Sequence, residues 1–130
     1  MNVIEPSQNF NKLFKNYGEN QFRKIEEKYL REIIIDKNIV ISTGGGTPTI
    51  NNLMDLMNEL GETIYLKCYN DILFQRIQID KEKRPIISQI ENKDLRAFID
   101  ERLNKREIFY KKSKHTICNN KGNPIKNIID

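Results

Sequence analysis

The run Ile39-Val40-Ile41-Ser42-Thr43-Gly44-Gly45-Gly46 sets the tightest limit on what this chain can fold into. A short unbroken run of β-branched apolar residues reads as a buried strand of a parallel sheet. The three glycines then strip every side chain from its C-terminal end, where open α/β sheets bind ligands. Glycine lets backbone approach a ligand closely. By themselves the glycines fit equally a tight strand-to-helix turn that holds no ligand. No Gly-x-x-x-x-Gly-Lys-Ser/Thr precedes them in the sequence, so the turn stands without the loop that cradles nucleotide phosphates.

The spacing of apolar residues supplies the rest of the architecture. Asn2 to Gln8 shows little periodicity and contains Pro6, which predicts an irregular lead-in. Ser7 is placed to cap a short helix through Lys15, ended by Gly18. Phe22, Ile25, Tyr29 and Ile33 follow helical spacing and predict an amphipathic helix from Glu19 to about Ile35. Thr49 or Asn51 is expected to cap a helix to Leu60, stopped by Gly61. Glu62–Lys67 reads as a strand, and Asn70 or Asp71 caps a helix to about Ile79. Residues 80–92 are polar, broken by Pro85, and read as a mobile loop. A helix over about residues 93–112, a strand at Thr116–Cys118 and a last helix opened by Pro124 complete the order. Strands alternating with helices imply an α/β fold with a parallel sheet between helical layers.

A chain of 130 residues is one domain with a modest core. No apolar run reaches membrane-spanning length, and the expectation is a soluble cytoplasmic protein. Cys68 and Cys118 make no metal spacing and are expected to be buried and reduced. The net charge of +4 is mild, and the lysines are scattered and often paired with glutamate. An anionic small substrate accounts for it as well as nucleic acid does, and no nucleic-acid or membrane partner is expected.

Several charged residues have two readings. Arg23 and Glu26 are either a solvated i,i+3 ion pair, which contributes little, or a guanidinium fork for a carboxylate oriented by a glutamate. Arg84, before Pro85, is either an ordinary loop residue or an arginine that swings onto a transferring phosphate. Arg102 and Arg106 form a basic helical stripe, or one turns inward to an acidic ligand beside Phe109 and Tyr110. Arg76 and Pro124 are each unremarkable, yet together they fit the two faces of a flat base. His115 is the single histidine and reads as a surface residue, not a catalytic base.

Taken in order, these segments resemble the shikimate kinases, small P-loop kinases related in fold to the nucleoside monophosphate kinases. Leu13-Phe14…Gly18-Glu19…Phe22-Arg23…Glu26 is similar to the family's substrate-binding helices over residues 7–35. Ile41-Ser42-Thr43-Gly44-Gly45-Gly46 is similar to its glycine signature, and Arg84-Pro85-Ile86 to its lid, residues 80–92. Arg106…Phe109-Tyr110 and Asn123-Pro124 resemble its closing segment and adenine-side turn. The resemblance implies transfer of phosphate from ATP, with Mg²⁺, to shikimate, a step toward chorismate and the aromatic amino acids. It implies that Arg23 and Arg106 grip the shikimate carboxylate and that Glu26 orients Arg23. The Gly45 N–H holds a ring hydroxyl between Gly44 and Gly46, while Phe14 and Phe22 wall the ring. Arg84 reaches the ATP phosphates as the catalytic arginine, and Arg76 and Pro124 flank adenine.

The chain also departs from the family. The first strand, the P-loop, the helix after it and the strand ending in Asp-x-Asp have no counterpart, and Met1 falls where the second Asp belongs. The expectation is a single kinase-like domain over residues 1–130, N-terminally truncated, with the first two strands of the sheet missing and no metal ligands. The vacant strand position falls between Ile39–Ser42 and Glu62–Lys67. Such a chain is expected to be inactive alone, to be monomeric as the family is, and to accept a complementing N-terminal fragment. The alternatives are a non-catalytic shikimate-binding module and a decaying gene remnant.

Overall fold

In the computed structural model, residues 2–4 and 10–120 are described, with side chains from Lys15 onward. The chain divides into two compact units, Met1–Gly61 and Glu62–Asp130.

The first unit holds one parallel strand pair. Strand β1 (Asn2–Ile4) lies beside β2 (Ile39–Ile41), with Asn2, Val3 and Ile4 opposite Ile39, Val40 and Ile41. This corrects the irregular lead-in expected from Asn2. Three residues carry too little periodicity to read as a strand, and it is the pairing with β2 that defines this one. Helix α1 (Phe10–Ile33) is interrupted at Gly18, where φ of 77° and ψ of 172° leave the helical region. The break falls where glycine was expected to end the first of two helices. Glycine adopts that positive φ without a steric penalty.

After the glycines the chain makes a 3-10 turn, Thr47–Thr49, and then helix α2 (Leu53–Leu60). The helix starts later than Thr49 or Asn51 because Asn51 has φ of 42°, outside the helical region, and the Thr49 hydroxyl is spent on the Gly46 carbonyl. Leu30, Leu53 and Met54 are buried apolar side chains of this unit, with Pro48 beside Thr47 in the turn. Strand β2 is less enclosed than its sequence suggests, with Val40 42% exposed.

The second unit pairs β3 (Ile64–Lys67) with β4 (His115–Cys118), again in parallel, Ile64 opposite His115 and Lys67 opposite Cys118. Among the described residues the strands thus form two two-stranded sheets, β1 with β2 and β3 with β4. Helix α3 (Asn70–Ile79) packs on α4 (Asn92–Tyr110), with Ile77, Leu95 and Ile99 at the centre. Arg96 ties the two helices at the surface, 2.6 Å from Asp71 and 3.4 Å from Asp100. Asn70 adds a bond from its side-chain amide to Asp100, 2.9 Å long.

Between α3 and α4, residues 80–92 contain two 3-10 turns, Lys81–Lys83 and Ile87–Gln89. The polar composition hid an apolar peg, for Ile87 and Ile90 pack against the α3–α4 core. Cys68 is half-buried and Cys118 exposed, both free, so the expectation that both are buried fails for Cys118 and is met only in part for Cys68. The last strand's alternation turns that side chain outward. Among the described residues no helix is long and apolar enough to cross a membrane. Ser7 and the last helix opened by Pro124 lie outside the described residues.

Candidate substrate-binding site

In the first unit the glycine turn and helix α1 meet around one carboxylate. Glu26 is 9% exposed, and its two oxygens take different partners. Oε2 accepts from Arg23 Nη1 at 2.6 Å, and Oε1 accepts from the hydroxyl of Thr47, which is 2% exposed. The i,i+3 spacing on α1 brings Arg23 and Glu26 to one face. The pair is not the solvated one that such spacing usually gives, since their side chains are only 21% and 11% exposed. Arg23 Nη2 has a weaker neighbour, Glu19 Oε1, at 3.7 Å. The guanidinium carbon lies 5.2 Å from the centre of the Phe22 ring, within reach of a cation–π attraction.

The glycines make room for this arrangement. A Cβ on Gly46 would fall on the Arg23 guanidinium, 2.7 Å from Nη1 and nearer still to the other two atoms. A Cβ on Gly44 would come within 3.0 Å of Glu26 Oε1 and 3.6 Å of Thr47 Oγ1. Gly45, between them, is exposed. A second polar tie holds the same helix to the chain beyond the turn. Arg31 donates to Glu27 at 3.1 Å and to Asn52 at 2.9 Å, and Asn51 donates to Glu27 at 2.9 Å. Those bonds hold the Glu27 carboxyl below its ordinary value, the Asn51 amide contributing most and Arg31 next.

Apart from Phe14, the remaining candidates belong to the second unit. Arg106 is half-buried on α4. Nearby on the same helix Tyr110 faces Tyr65 of β3, ring centres 5.1 Å apart. Burial, with Glu107 and Tyr110 next in weight, pushes the Tyr65 phenol up to about 12. Arg84 and Arg76 are exposed, and the backbone around Arg84 is held by the Ser88 N–H, which donates to its carbonyl at 2.8 Å. His115 is at the surface with Nε2 2.8 Å from Glu62 Oε2. The side chain of Phe14, and Pro124 entirely, lie outside the described residues.

Comparison with known proteins resolves what such a glycine turn and buried Arg–Glu pair belong to. The family model for shikimate kinase matches residues 3–130. The chain belongs to the shikimate kinase family. The shikimate kinase of Phocaeicola vulgatus is 41% identical over 103 residues, which is 79% of this chain and 59% of that protein. The Bacteroides thetaiotaomicron enzyme gives the same figures. The chain therefore spans 59% of the length of these curated relatives. A solved structure of shikimate kinase from B. thetaiotaomicron superposes with a TM-score of 0.79 at 34% identity, covering 91% of this chain and 72% of that one. Shikimate kinase from Acinetobacter baumannii, solved in complex with shikimate, gives 0.81 at 25% identity over 93% and 70%. The α/β fold with parallel strands and flanking helices matches these P-loop kinase structures.

The family implies ATP and Mg²⁺. Among the described residues no three His, Cys, Asp or Glu side chains gather as a metal site. The cations that the resemblance assigns to nucleotide, Arg84 and Arg76, are exposed. What the described residues show is a guanidinium held on one side by a buried carboxylate. One contributor escaped the sequence: Thr47. A threonine after glycine reads as a helix cap, and only the folded turn brings its hydroxyl against a glutamate 21 residues earlier.

Proposed function

We propose that this chain carries the shikimate-binding part of a shikimate kinase site. The observation that carries the reading is the Arg23–Glu26 pair, half-buried and seated in the space that Gly46 leaves. An arginine in the open would spend side-chain entropy to meet a ligand. Here Nη1 is already committed to Glu26, and Nη2 lies 3.7 Å from the exposed Glu19. The planar fork suits a carboxylate better than a lysine would. Gly45, exposed at the turn, supplies its N–H to a ring hydroxyl, and Phe22 flanks the ring. The shikimate held by the A. baumannii relative supports the choice of ligand. The roles of Arg106 on the carboxylate, Phe14 on the ring, and Arg84, Arg76 and Pro124 on the nucleotide belong to the same proposal and rest on the family likeness alone.

The 130 residues by themselves bind but do not turn over. Phosphoryl transfer works by positioning and electrostatic stabilisation of the transferring group. The sequence has no P-loop motif to supply backbone amides and a lysine to the phosphates. Turnover by these residues requires a segment that bears that loop. The test is calorimetry of the chain with shikimate and with ATP, beside a coupled ADP-release assay. Shikimate should give saturable heat that Arg23→Ala abolishes, ATP should bind more weakly, and ADP release should stay far below the usual kinase range of about 1–100 s⁻¹. Tighter binding of ATP, indifference to Arg23→Ala, or ordinary turnover by the chain alone each overturns it.

A further inference from the structure

We propose that the Thr47 hydroxyl is a positioning group for Arg23, acting through Glu26. The shikimate reading above supplies only the identity of the ligand; the positioning itself stands on the geometry of four residues. The outer torsion of a glutamate side chain, which sets the plane of its carboxylate, is soft and broad. One partner therefore fixes one oxygen and leaves the plane free to turn. Arg23 Nη1 fixes Oε2 at 2.6 Å. Thr47 fixes Oε1, and with both oxygens pinned the carboxylate plane is set and the guanidinium with it.

Thr47 is itself rigid. Its backbone N–H donates to the Gly44 carbonyl and its carbonyl accepts from Ile50, both at 3.1 Å, and Pro48 follows it. At 2% exposure the hydroxyl does not exchange Glu26 for solvent. Gly44 leaves space beside this bond, since a Cβ there would crowd its acceptor at 3.0 Å while meeting its donor at an ordinary 3.6 Å. Removing the hydroxyl leaves a buried acceptor short of a donor, and the cheapest remedy is rotation of the carboxylate toward Arg23 or toward water. Either rotation re-aims the guanidinium. The consequence is weaker binding without the loss of any group that touches the ligand.

The experiment compares the full chain with Thr47→Val, which keeps the shape and removes the hydroxyl, and Thr47→Ser, which keeps the hydroxyl and removes a methyl. The first readout is ¹⁵N NMR of the Arg23 guanidinium, assigned with Arg23→Lys. Hindered rotation should give separate Nη signals in the wild type and in Thr47→Ser, and averaged signals in Thr47→Val. The second is calorimetry with shikimate, where Thr47→Val should bind about three- to tenfold more weakly and Thr47→Ser should recover most of the loss. If the valine variant does not fold, Thr47→Ala removes the hydroxyl with less bulk and takes its place. Separate Nη signals that persist without the hydroxyl overturn the proposal. If the wild type gives no heat with shikimate, the choice of ligand has failed, and the guanidinium signals still decide the positioning.

Discussion

Adding one methyl group at position 46 isolates what the glycine turn is for. Gly46 has φ of −87° and ψ of −18°, ordinary right-handed backbone that alanine adopts without strain. On backbone grounds alone Gly46→Ala should stabilise the chain by about 0.4–1 kcal/mol, because the unfolded state loses freedom. The obstacle is Arg23, whose guanidinium supplies the three atoms nearest the added Cβ. It must leave, and the 2.6 Å bond to Glu26 goes with it. Hydrogen bonds to charged groups contribute about 1.5–3 kcal/mol, and with the two side chains 21% and 11% exposed the lower part of that range applies. The two effects leave Gly46→Ala destabilising by roughly 1 kcal/mol, a fall of about 3–5 °C in Tm for a chain of this size. In an Arg23→Ala background that obstacle is gone, and the same substitution should become neutral or stabilising. A double-mutant cycle by thermal and urea unfolding reads the change of sign directly. Equal destabilisation in both backgrounds would falsify the steric argument and return the glycine to a purely conformational role.

Three further outcomes follow from the second unit. Leu95 is fully buried between Ile77 and Ile99, so Leu95→Ala should cost about 2–5 kcal/mol in urea unfolding, whereas a loss under 1 kcal/mol contradicts the packing. The Glu62 carboxyl is held below its ordinary 4.5 by bonds from His115 first and Lys114 next, so its contribution is complete above pH 4.5 and fades as pH falls through the lowered value. Glu62→Gln should flatten the decline of Tm below pH 4.5, and an unchanged slope denies the link. Tyr65 keeps its proton to about 12, so the fold loses that group's contribution as pH rises from 10 toward 12. Absorbance near 295 nm should show a last tyrosine step that Tyr65→Phe removes.

The glycine turn, the helical spacing around Phe22 and Ile25, and the alternation of strands with helices were readable because each rests on a period or on a residue type with one strong preference. The Arg23–Glu26 pair was readable as a pair but not as a buried one, because burial depends on Gly46 and Thr47, some twenty residues later. Strand β1 was invisible for a related reason. Asn2–Ile4 has no pattern of its own and becomes a strand by pairing with Ile39–Ile41. The start of α2 was misplaced because the positive φ of Asn51 leaves no mark that distinguishes it from a capping asparagine. In residues 80–92 the polar majority outweighed Ile87 and Ile90, whose core contacts come from α3 and α4.

That isoleucine peg limits how far an arginine can travel. Arg84 stands three residues before Ile87, and Asp80, next to the end of α3, stands four residues before Arg84. A fully extended chain advances about 3.3–3.6 Å per residue. While Ile87 remains seated, the Arg84 backbone can therefore move no farther than roughly 10 Å from it, whatever the flanking residues do. The segment is a tether of limited length, and the guanidinium reaches only that distance plus the length of its own side chain.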